Sequence, residues 1–469
     1  MGRRTFESGR AFEGSLLLCI LLFMGRVLPA GEQAFPLEEV SAFGLAQEGG
    51  YGFLLGQRAL CGEKPDPNVV AYPKFSSDRP LYGKVSFTAP HSQPDPGATY
   101  YFALDESAGT GRKYDRLYFD LNRDRDLTND KTLGVQESPP PGALLADPQN
   151  PQQACFENLG VPFPFGSQGE RPLEMMPRLI VTDSGYKALS FVTTRAHKGR
   201  IQLAGKEYNV TLGHQYIVAG WFDTPWTALH LTPPGSRSNY TWWGGDRLTG
   251  MQKMDGVFYQ LAAAPAGDKL MVRRYEGPLG TFRIGAGGRQ LEVMEASGSL
   301  WSPKAALPVG EVTEEGWPKP AQECRLPVGD YTANLMTVNL GKLRLEISNN
   351  YHADGKPRGM TDRPPVCGIA IRENAPFVLD FSHKPAVLFA SPARDQRLKV
   401  GAELMVKAVL IDPVLGIMIR GLEDTTRKHR ETGPDGQPRS YETNVSLDPN
   451  VVITRANGEK VAQGVMPFG

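Results

Sequence analysis

The chain has 469 residues, so it is too long for one ordinary hydrophobic core, and about three or four domains are expected. Glycine (52) and proline (39) are abundant. Because both are poor inside helices and common at turns, many short strands are favoured over long helices. The 51 basic and 51 acidic side chains balance, which excludes the strong positive field that draws proteins to nucleic acid. We therefore expect a mainly β protein of several antiparallel β-sandwich or barrel-like domains, without a nucleic-acid partner.

The first 30 residues have the organisation of a secretory signal peptide. Arg3 and Arg4 precede a short apolar run at 15–24, and the small residue Ala30 suits cleavage. The run is shorter than the about 20 apolar residues that span a bilayer; an uncleaved membrane anchor is the alternative. The expected location is secreted, periplasmic or at the cell surface, with no integral membrane span after signal removal.

Composition and strand-like runs divide the rest of the chain into five regions. They are an N-terminal β region at 31–133, a Pro-rich linker at 134–173, a middle antiparallel β domain at 174–300, a β region at 301–375 and an Ig-like C-terminal sandwich at 376–469. The Ig-like assignment depends on several short strands within roughly a hundred residues. In that last region Asn457-Gly458 predicts a hairpin with a type I′ turn.

Four hairpins are predicted in the middle region, each from two strand-like runs that flank a turn sequence. The paired runs are 178–182 with 188–192, 201–203 with 208–212, 257–263 with 270–274, and 281–284 with 290–293. Farther along the chain, 337–340 and 342–347 are predicted strands around Gly341. Hairpins between successive strands indicate antiparallel sheets.

Four cysteines remain after the signal peptide, and an even number in an exported chain favours disulfides. They allow three pairings, of which we expect Cys61–Cys155 and Cys324–Cys367, because each pair then stays within one region. No CxxC spacing indicates zinc or a redox dithiol. Free buried cysteines are the alternative.

The most specific chemical pattern follows a predicted strand at 116–119. Oxygen-bearing side chains recur at alternate positions from 120 to 128, and Ca²⁺ prefers several hard oxygen ligands at about 2.3–2.6 Å. The Asp-x-Asn-x-Asp run resembles the calcium loops of EF-hands and dockerin modules over about a dozen residues. The resemblance implies a structural calcium site with the ligands Asp120, Asn122, Asp124, Asp126 and Asp130.

Three departures separate this loop from a regulatory EF-hand. Arg125 stands at position six, where the family pattern has glycine for a sharp turn. Lys131 stands at position twelve, where a bidentate acid is expected, and Asp130 lies one place early. The entering element is a predicted strand and not a helix. The expectation is therefore a divergent calcium loop, and the alternative is a solvated turn whose Asp and Asn side chains accept local backbone N–H groups.

Aromatic side chains are concentrated between Trp221 and Trp243. Four of the six tryptophans lie there, at positions 221, 226, 242 and 243. Such faces stack on sugar rings in carbohydrate-binding proteins, but large aromatics also dominate cores, and core packing is the favoured interpretation. Trp242 and Trp243 are the best candidates for exposure because glycines follow them and a Pro-Pro-Gly turn precedes them.

The sequence excludes several enzyme classes. The seven histidines form no HExxH pair, and no GxSxG elbow or GxxxxGK[ST] loop occurs. Paired carboxylates for glycoside hydrolysis stay open, with Asp105, Asp115 and Asp223 among the candidates.

The chain as a whole resembles exported bacterial proteins of several β domains. The first functional hypothesis is a non-catalytic exported protein with a structural calcium loop, acting in adhesion or cell-envelope assembly on a glycan or protein partner. The second is a carbohydrate-binding protein or glycan hydrolase that uses Trp221–Trp243. The third is a scaffold without a ligand.

Overall fold

The structure is a computed structural model. It describes residues 31–47, 55–87, 99–109, 113–143, 152–182, 185–232, 234–235, 248, 251–254, 256–302, 305–312, 318–348, 368–392, 396–397, 399, 401–430 and 442–468. The predicted signal peptide at 1–30 lies outside these residues.

The described chain is built almost entirely of strands, with one short α-helix, α1 (Ala42–Gln47). The first strands are β1 (Glu32–Ser41), β2 (Gln57–Leu60), β3 (Leu81–Ser86), β4 (Thr99–Asp105), β5 (Arg116–Phe119), β6 (Leu133–Gly134), β7 (Gln152–Cys155) and β8 (Leu159–Pro164). Then come β9 (Glu170–Val181), β10 (Lys187–Thr193), β11 (Arg195–Leu203), β12 (Lys206–Gly213), β13 (Ala228–Thr232), β14 (Gln252–Met254), β15 (Val257–Ala263) and β16 (Lys269–Arg274).

The remaining strands follow in chain order. They are β17 (Leu279–Gly285), β18 (Met294–Ser302), β19 (Ala305–Val309), β20 (Glu311–Val312), β21 (Pro318–Lys319), β22 (Glu323–Pro327), β23 (Gly329–Leu340), β24 (Leu343–Ser348), β25 (Ile369–Ile371), β26 (Phe377–Asp380), β27 (Ala386–Ser391), β28 (Lys407–Asp412), β29 (Ile417–His429), β30 (Thr443–Ser446), β31 (Asn450–Thr454) and β32 (Lys460–Val465). The predicted mainly antiparallel β architecture of several curled sheets is confirmed.

Strand β1 joins two sets of strands into one seven-stranded sheet with the order β13-β12-β11-β1-β16-β15-β14. Its first half, Glu32–Pro36, pairs with β16, and its second half, Leu37–Ser41, pairs with β11. A single strand with two partners therefore connects segments that are far apart in sequence.

Two smaller sheets meet through aromatic rings. One has the order β2-β10-β9-β7, with β8 also paired to β9, and the other has the order β3-β4-β5-β6. Phe191 of β10 lies between them, with its ring centroid 5.3 Å from Phe87, 6.2 Å from Phe102 and 5.5 Å from Phe119. Edge-to-face contacts of this kind add specific packing to the burial of apolar surface. The core of the first half is therefore shared by sheets from both sides of the predicted linker.

Two main hydrophobic cores meet at β15. The first core extends from Leu37 to Val272, and the second from Met251 to Ile419. Along β15, Tyr259, Leu261 and Ala263 belong to the first core, whereas Phe258 belongs to the second. Successive side chains of a strand point to opposite faces, so β15 contributes to both. The described residues of the first core therefore lie before residue 275, and those of the second core lie from residue 251 onward.

The Pro-rich region 134–173 is only partly irregular. β7 and β8 lie in it, and β9 begins in it, so the prediction of a linker without strands is wrong there. Pro162 of β8 stands opposite Pro172 of β9. Among the described strands, β8 pairs with β9 alone and is therefore an edge strand. Proline is tolerated in an edge strand because its missing N–H is not needed for pairing.

Three of the four predicted hairpins are confirmed, as β9–β10, β11–β12 and β15–β16. The fourth, 281–284 with 290–293, is wrong. β17 pairs antiparallel with β22 on one side and parallel with β26 on the other, so both of its edges are taken by distant strands. The predicted strands around Gly341 are confirmed as β23 and β24, with φ of 58° at Gly341.

The C-terminal strands share their sheets with earlier ones. β26 joins β17, and β27–β30 extend the sheet that contains β18, β19, β23 and β24. In the described part of the chain, β31 and β32 alone form a sheet of their own after residue 376. Their hairpin is confirmed, but the type I′ turn is wrong, because Gly458 has a positive φ (85°) and Asn457 does not.

The predicted disulfide Cys61–Cys155 is not formed, and both thiols are free. Cys155 pairs with Arg178 on β9, and Cys61 follows β2 on the far side of β10. Three strand spacings of about 4.8 Å separate them, well beyond the about 7 Å that a disulfide bridges. Cys324 is also free, and Cys367 lies outside the described residues. Burial raises the pKa of Cys61 to about 12 and that of Cys155 to about 11, so neither thiol is a reactive thiolate at neutral pH.

Truncating Phe191 tests whether the first core crosses the predicted linker. Phe191→Ala removes a fully buried ring that contacts both smaller sheets, and we expect it to lower the free energy of unfolding by about 3–5 kcal/mol. Tyr186→Ala is the control, because the side chain is 38% exposed and its loss is expected to cost under about 0.5 kcal/mol. Urea unfolding measures both, and an equal small effect would contradict a shared core.

Candidate calcium site

Asp120 directly follows the C-terminal end of β5 and is buried there. Leu117 and Phe119 of β5 are buried in the first core, while Tyr118 packs on the outer face of the sheet. The Asp120 N–H donates to the Tyr101 carbonyl at 2.9 Å, and the residue is 0% exposed. The predicted strand before the acidic loop is confirmed, and it positions the first carboxylate of the loop.

The next alternate residues form a ladder of local turns. Asn122 accepts the N–H of Asp124 at 3.0 Å, Asp124 accepts that of Asp126 at 2.8 Å, and Asp126 accepts that of Thr128 at 2.9 Å. Short Asn and Asp side chains reach the backbone two residues ahead. The alternation in sequence therefore becomes a tightly coiled loop.

Two carboxylates of the loop are incompletely paired. Asp120 Oδ2 accepts the Arg125 N–H at 3.2 Å, and Asp130 Oδ1 accepts the Leu121 N–H at 3.2 Å. Their other oxygens, Asp120 Oδ1 and Asp130 Oδ2, are buried without a hydrogen-bond partner among the described residues. A buried carboxylate oxygen without a partner is costly and needs an explanation.

The carboxylates of Asp120, Asp124 and Asp130 interact electrostatically. Burial raises the pKa of Asp120 above its ordinary value, and the negative charge of Asp124 adds to the rise. Burial likewise raises the pKa of Asp130, with further contributions from the charges of Asp120 and Asp124. Neighbouring carboxylates disfavour each other's ionisation, and a bound cation removes that repulsion.

Asp124 is held by two amides. Its Oδ2 accepts Nδ2 of Asn122 at 3.0 Å and Nδ2 of Asn129 at 2.7 Å. The hydrogen bond from Asn129 is the main reason that the pKa of Asp124 is lowered. The sequence analysis did not include Asn129 among the site residues, because it is not at one of the alternate positions 120–128. Its place next to Asp130 was the signal in the sequence that could have identified it.

Asp126 differs from the other predicted ligands. Its Oδ1 accepts both the N–H and the hydroxyl of Thr128, the latter at 2.6 Å. The loop thus brings Asp120, Asn122, Asp124 and Asp130 together and turns the Asp126 carboxylate to Thr128. Among the described residues, no group of three or more His, Cys, Asp or Glu side chains is arranged as a metal cluster, so the site would also need amide and backbone oxygens.

Arg123 and Arg125 have left-handed backbone conformations, with φ of 61° and 67°. Arg125 therefore adopts the conformation for which glycine is preferred at the sixth loop position. Both side chains are exposed, and the Arg123 guanidinium lies 5.6 Å from the Tyr100 ring centroid. An L-residue in this conformation is strained by about 1–2 kcal/mol, which the hydrogen bond from the Arg125 N–H to Asp120 helps to offset.

The loop fits Ca²⁺ by its chemistry. The side chains in it that can ligate a cation are carboxylates and amides, and their oxygens are ligand types that Ca²⁺ takes. The two buried oxygens without partners are carboxylate oxygens, the strongest donors in the set.

The aromatic region is divided between core and undescribed chain. Trp221 is 7% exposed, lies 4.9 Å from the Phe165 ring centroid and donates through Nε1 to the Arg171 carbonyl. Trp226 is half-buried, and Trp242 and Trp243 lie outside the described residues. The favoured core interpretation is therefore confirmed for Trp221.

Two of the candidate glycosidase carboxylates, Asp105 and Asp115, have local roles. Asp105 is fully buried and accepts the N–H groups of Ser76 and Ser77 at 2.8 and 2.9 Å. Asp115 accepts the N–H of Ser107 at 2.8 Å. Both carboxylates therefore hold turns together.

Comparisons with known protein families, with curated proteins and with solved structures find no match. The helices among the described residues include none with the length and apolar character of a membrane span.

Replacing Arg125 by glycine tests the backbone strain. We expect Arg125→Gly to raise the free energy of unfolding by about 0.5–1 kcal/mol, because relief of the left-handed strain exceeds the added entropy of the unfolded chain. Arg123→Gly is the matched comparison, and its gain is expected to be smaller because it also loses the contact with Tyr100. Chemical denaturation measures both, and a loss of stability in Arg125→Gly would contradict the strain.

The buried imidazole of His214, beside Trp221, predicts that the stability of the fold depends on pH. Burial lowers the pKa of His214 from 6.5 to about 4. Between these values the unfolded chain binds a proton and the folded chain does not, so stability is full above pH 6.5 and falls as the pH drops toward 4. We expect His214→Phe, which keeps the contact with Phe222, to lose roughly 2 kcal/mol less between pH 7 and pH 5. Urea midpoints at both pH values measure this, and equal losses would refute it.

Proposed function

We propose that the loop Asp120–Asp130 binds one Ca²⁺ and that the ion stabilises the outer side of the β3–β6 sheet. The observation that carries this proposal is the pair of buried carboxylate oxygens, Asp120 Oδ1 and Asp130 Oδ2, that have no hydrogen-bond partner among the described residues. A solvated turn accounts for the ladder of Asn122, Asp124 and Asp126, but it does not account for two buried, unpaired carboxylate oxygens in one loop.

The ligands are assigned different roles. Asp120 and Asp130 supply the carboxylate oxygens that have no hydrogen-bond partner in the described part of the chain, and Asn122 and Asp124 supply oxygens that also accept local N–H groups. Asp126 is assigned a backbone-carbonyl role because it stands at position seven of the loop; its Oδ1 accepts both the N–H and the hydroxyl of Thr128. Position seven of related loops uses a backbone carbonyl in the same way.

The wider role that we propose depends on the export that the N-terminal sequence predicts. We place the protein outside the cytoplasm as a non-catalytic protein that acts in adhesion or envelope assembly, where calcium sites with Kd values of about 10⁻⁴–10⁻³ M are used for structure. The location of the loop on a sheet face, together with the structural roles of Asp105 and Asp115, supports a non-catalytic function. Glycan binding is the alternative function. Because Trp221 is buried in the core, this alternative depends on Trp226, Trp242 and Trp243.

Calcium titration of the wild type and two variants tests the site. At about 100 times the Kd, Ca²⁺ is expected to stabilise the wild type by about 2.7 kcal/mol, which raises the Tm by roughly 5–10 °C. Asp120→Asn is expected to abolish this rise and to be more stable than the wild type in chelator, because it removes a buried negative charge. Asp126→Asn is the matched control and is expected to keep most of the rise.

Calorimetric titration and thermal melts measure these effects. A wild type that shows neither heat of binding nor a change in Tm would leave the loop as a turn. Equal effects of the Asp120 and Asp126 variants would contradict the assignment of ligands.

A further inference from the structure

The irregular segment 62–80, here the cover segment, lies over the outer face of the β3–β6 sheet. Tyr72 and Phe75 of this segment pack edge-on against Tyr82, with ring centroids 5.0 and 5.8 Å away. Phe75 also lies 6.0 Å from Tyr118. These rings, with Leu127 of the acidic loop, form one hydrophobic cluster. The outer face of the sheet is therefore apolar and is buried by a segment without strands of its own.

The acidic loop holds the middle of the cover segment by backbone hydrogen bonds. The Arg125 carbonyl accepts the N–H of Val70 at 2.7 Å, and the Leu127 N–H donates to the Ala71 carbonyl at 3.0 Å. The ends of the segment are held elsewhere, by Gly62 paired with Tyr82 and by the Asp105 carboxylate. Lys84 on β3 also pairs with Asp66 of the segment at 2.9 Å, so the part of the segment that the loop holds is the backbone at Val70 and Ala71.

A short chain of contacts connects the buried carboxylate to the cover segment. Asp120 Oδ2 accepts the Arg125 N–H at 3.2 Å, and the carbonyl of the same Arg125 accepts the Val70 N–H at 2.7 Å. Arg125 is in the left-handed conformation, which an arginine holds only where surrounding contacts compensate the strain. Arg125 therefore connects Asp120 to Val70 through its own N–H and carbonyl.

We propose that Ca²⁺ at Asp120–Asp130 controls the docking of the cover segment, and that loss of the ion releases the segment and uncovers Tyr82 and Tyr118. The inference rests on the proposed calcium site and adds its regulatory consequence. Ion binding and docking are coupled, so each strengthens the other by the same factor.

Hydrogen exchange of the whole chain, in calcium and in chelator, tests the coupling. We expect Ca²⁺ to slow amide exchange in peptides from 62–80 by at least about tenfold, a coupling within the usual range. Peptides from 386–412 contain β27 and β28, which lie in a different sheet from β3–β6; they are the internal control and are expected to change less than about twofold.

Two substitutions at Val70 separate its amide from its side chain. The Val70 side chain is 74% exposed, so Val70→Ala keeps the amide and is expected to leave the calcium Kd unchanged. Val70→Pro removes the N–H that donates to Arg125 at 2.7 Å. It is expected to weaken the Kd by up to the factor by which Ca²⁺ slows exchange in the wild type, because the Ala71 N–H still donates to the Arg125 carbonyl at 3.4 Å.

The outcomes separate this inference from the proposed function. Calorimetric binding of Ca²⁺ without slower exchange at 62–80 overturns the control of docking and leaves the site in place. Equal slowing at 62–80 and 386–412 also overturns it, because the ion then stabilises the whole chain. Absence of binding overturns both proposals. The wild-type comparison decides these cases even if the proline variant does not fold.

Discussion

The requirement that backbone N–H and C=O groups find partners across strands organises this protein. Helices satisfy these groups locally, whereas strands must recruit other segments, and the described chain has one short α-helix. Residues far apart in sequence therefore become neighbours. Gln57 pairs with Phe191, and Glu32 pairs with Arg273. The continuity of the first core across the Pro-rich region is a direct consequence of these pairings.

The acidic loop shows how sheet geometry creates a chemical site. A strand end normally leaves a polar residue in solvent, but Asp120 is fully buried because both faces of β5 are covered. Burial leaves one of its oxygens without a protein partner and makes the carboxylate a strong donor for a cation. The same loop positions Arg125 and Leu127 to hold the cover segment, so the proposed ion site and the covering of the sheet share a single structural element.

Three hairpins predicted from local pattern are confirmed, whereas the fourth hairpin and the bond Cys61–Cys155 are wrong. The hairpins β9–β10, β11–β12 and β15–β16 follow from alternation and turn residues within about 20 residues. The pairing of β17 with β22 and β26 has no signal in the sequence, because the competing run at 290–293 is just as compatible with a hairpin. The predicted bond Cys61–Cys155 failed for a related reason, since two strands lie between the residues.

The sequence by itself determined the β composition, the strand before Asp120 and the alternation of oxygen-bearing side chains, because these depend on neighbours within a few residues. Only the tertiary structure decided which of these side chains are buried, that Asp126 turns to Thr128 and that Asn129 joins Asp124. It also decided that the loop holds Val70 and Ala71, about 50 residues earlier in the chain. Burial and long-range contact are properties of packed sheets, and one strand's pattern does not specify which segment will cover it.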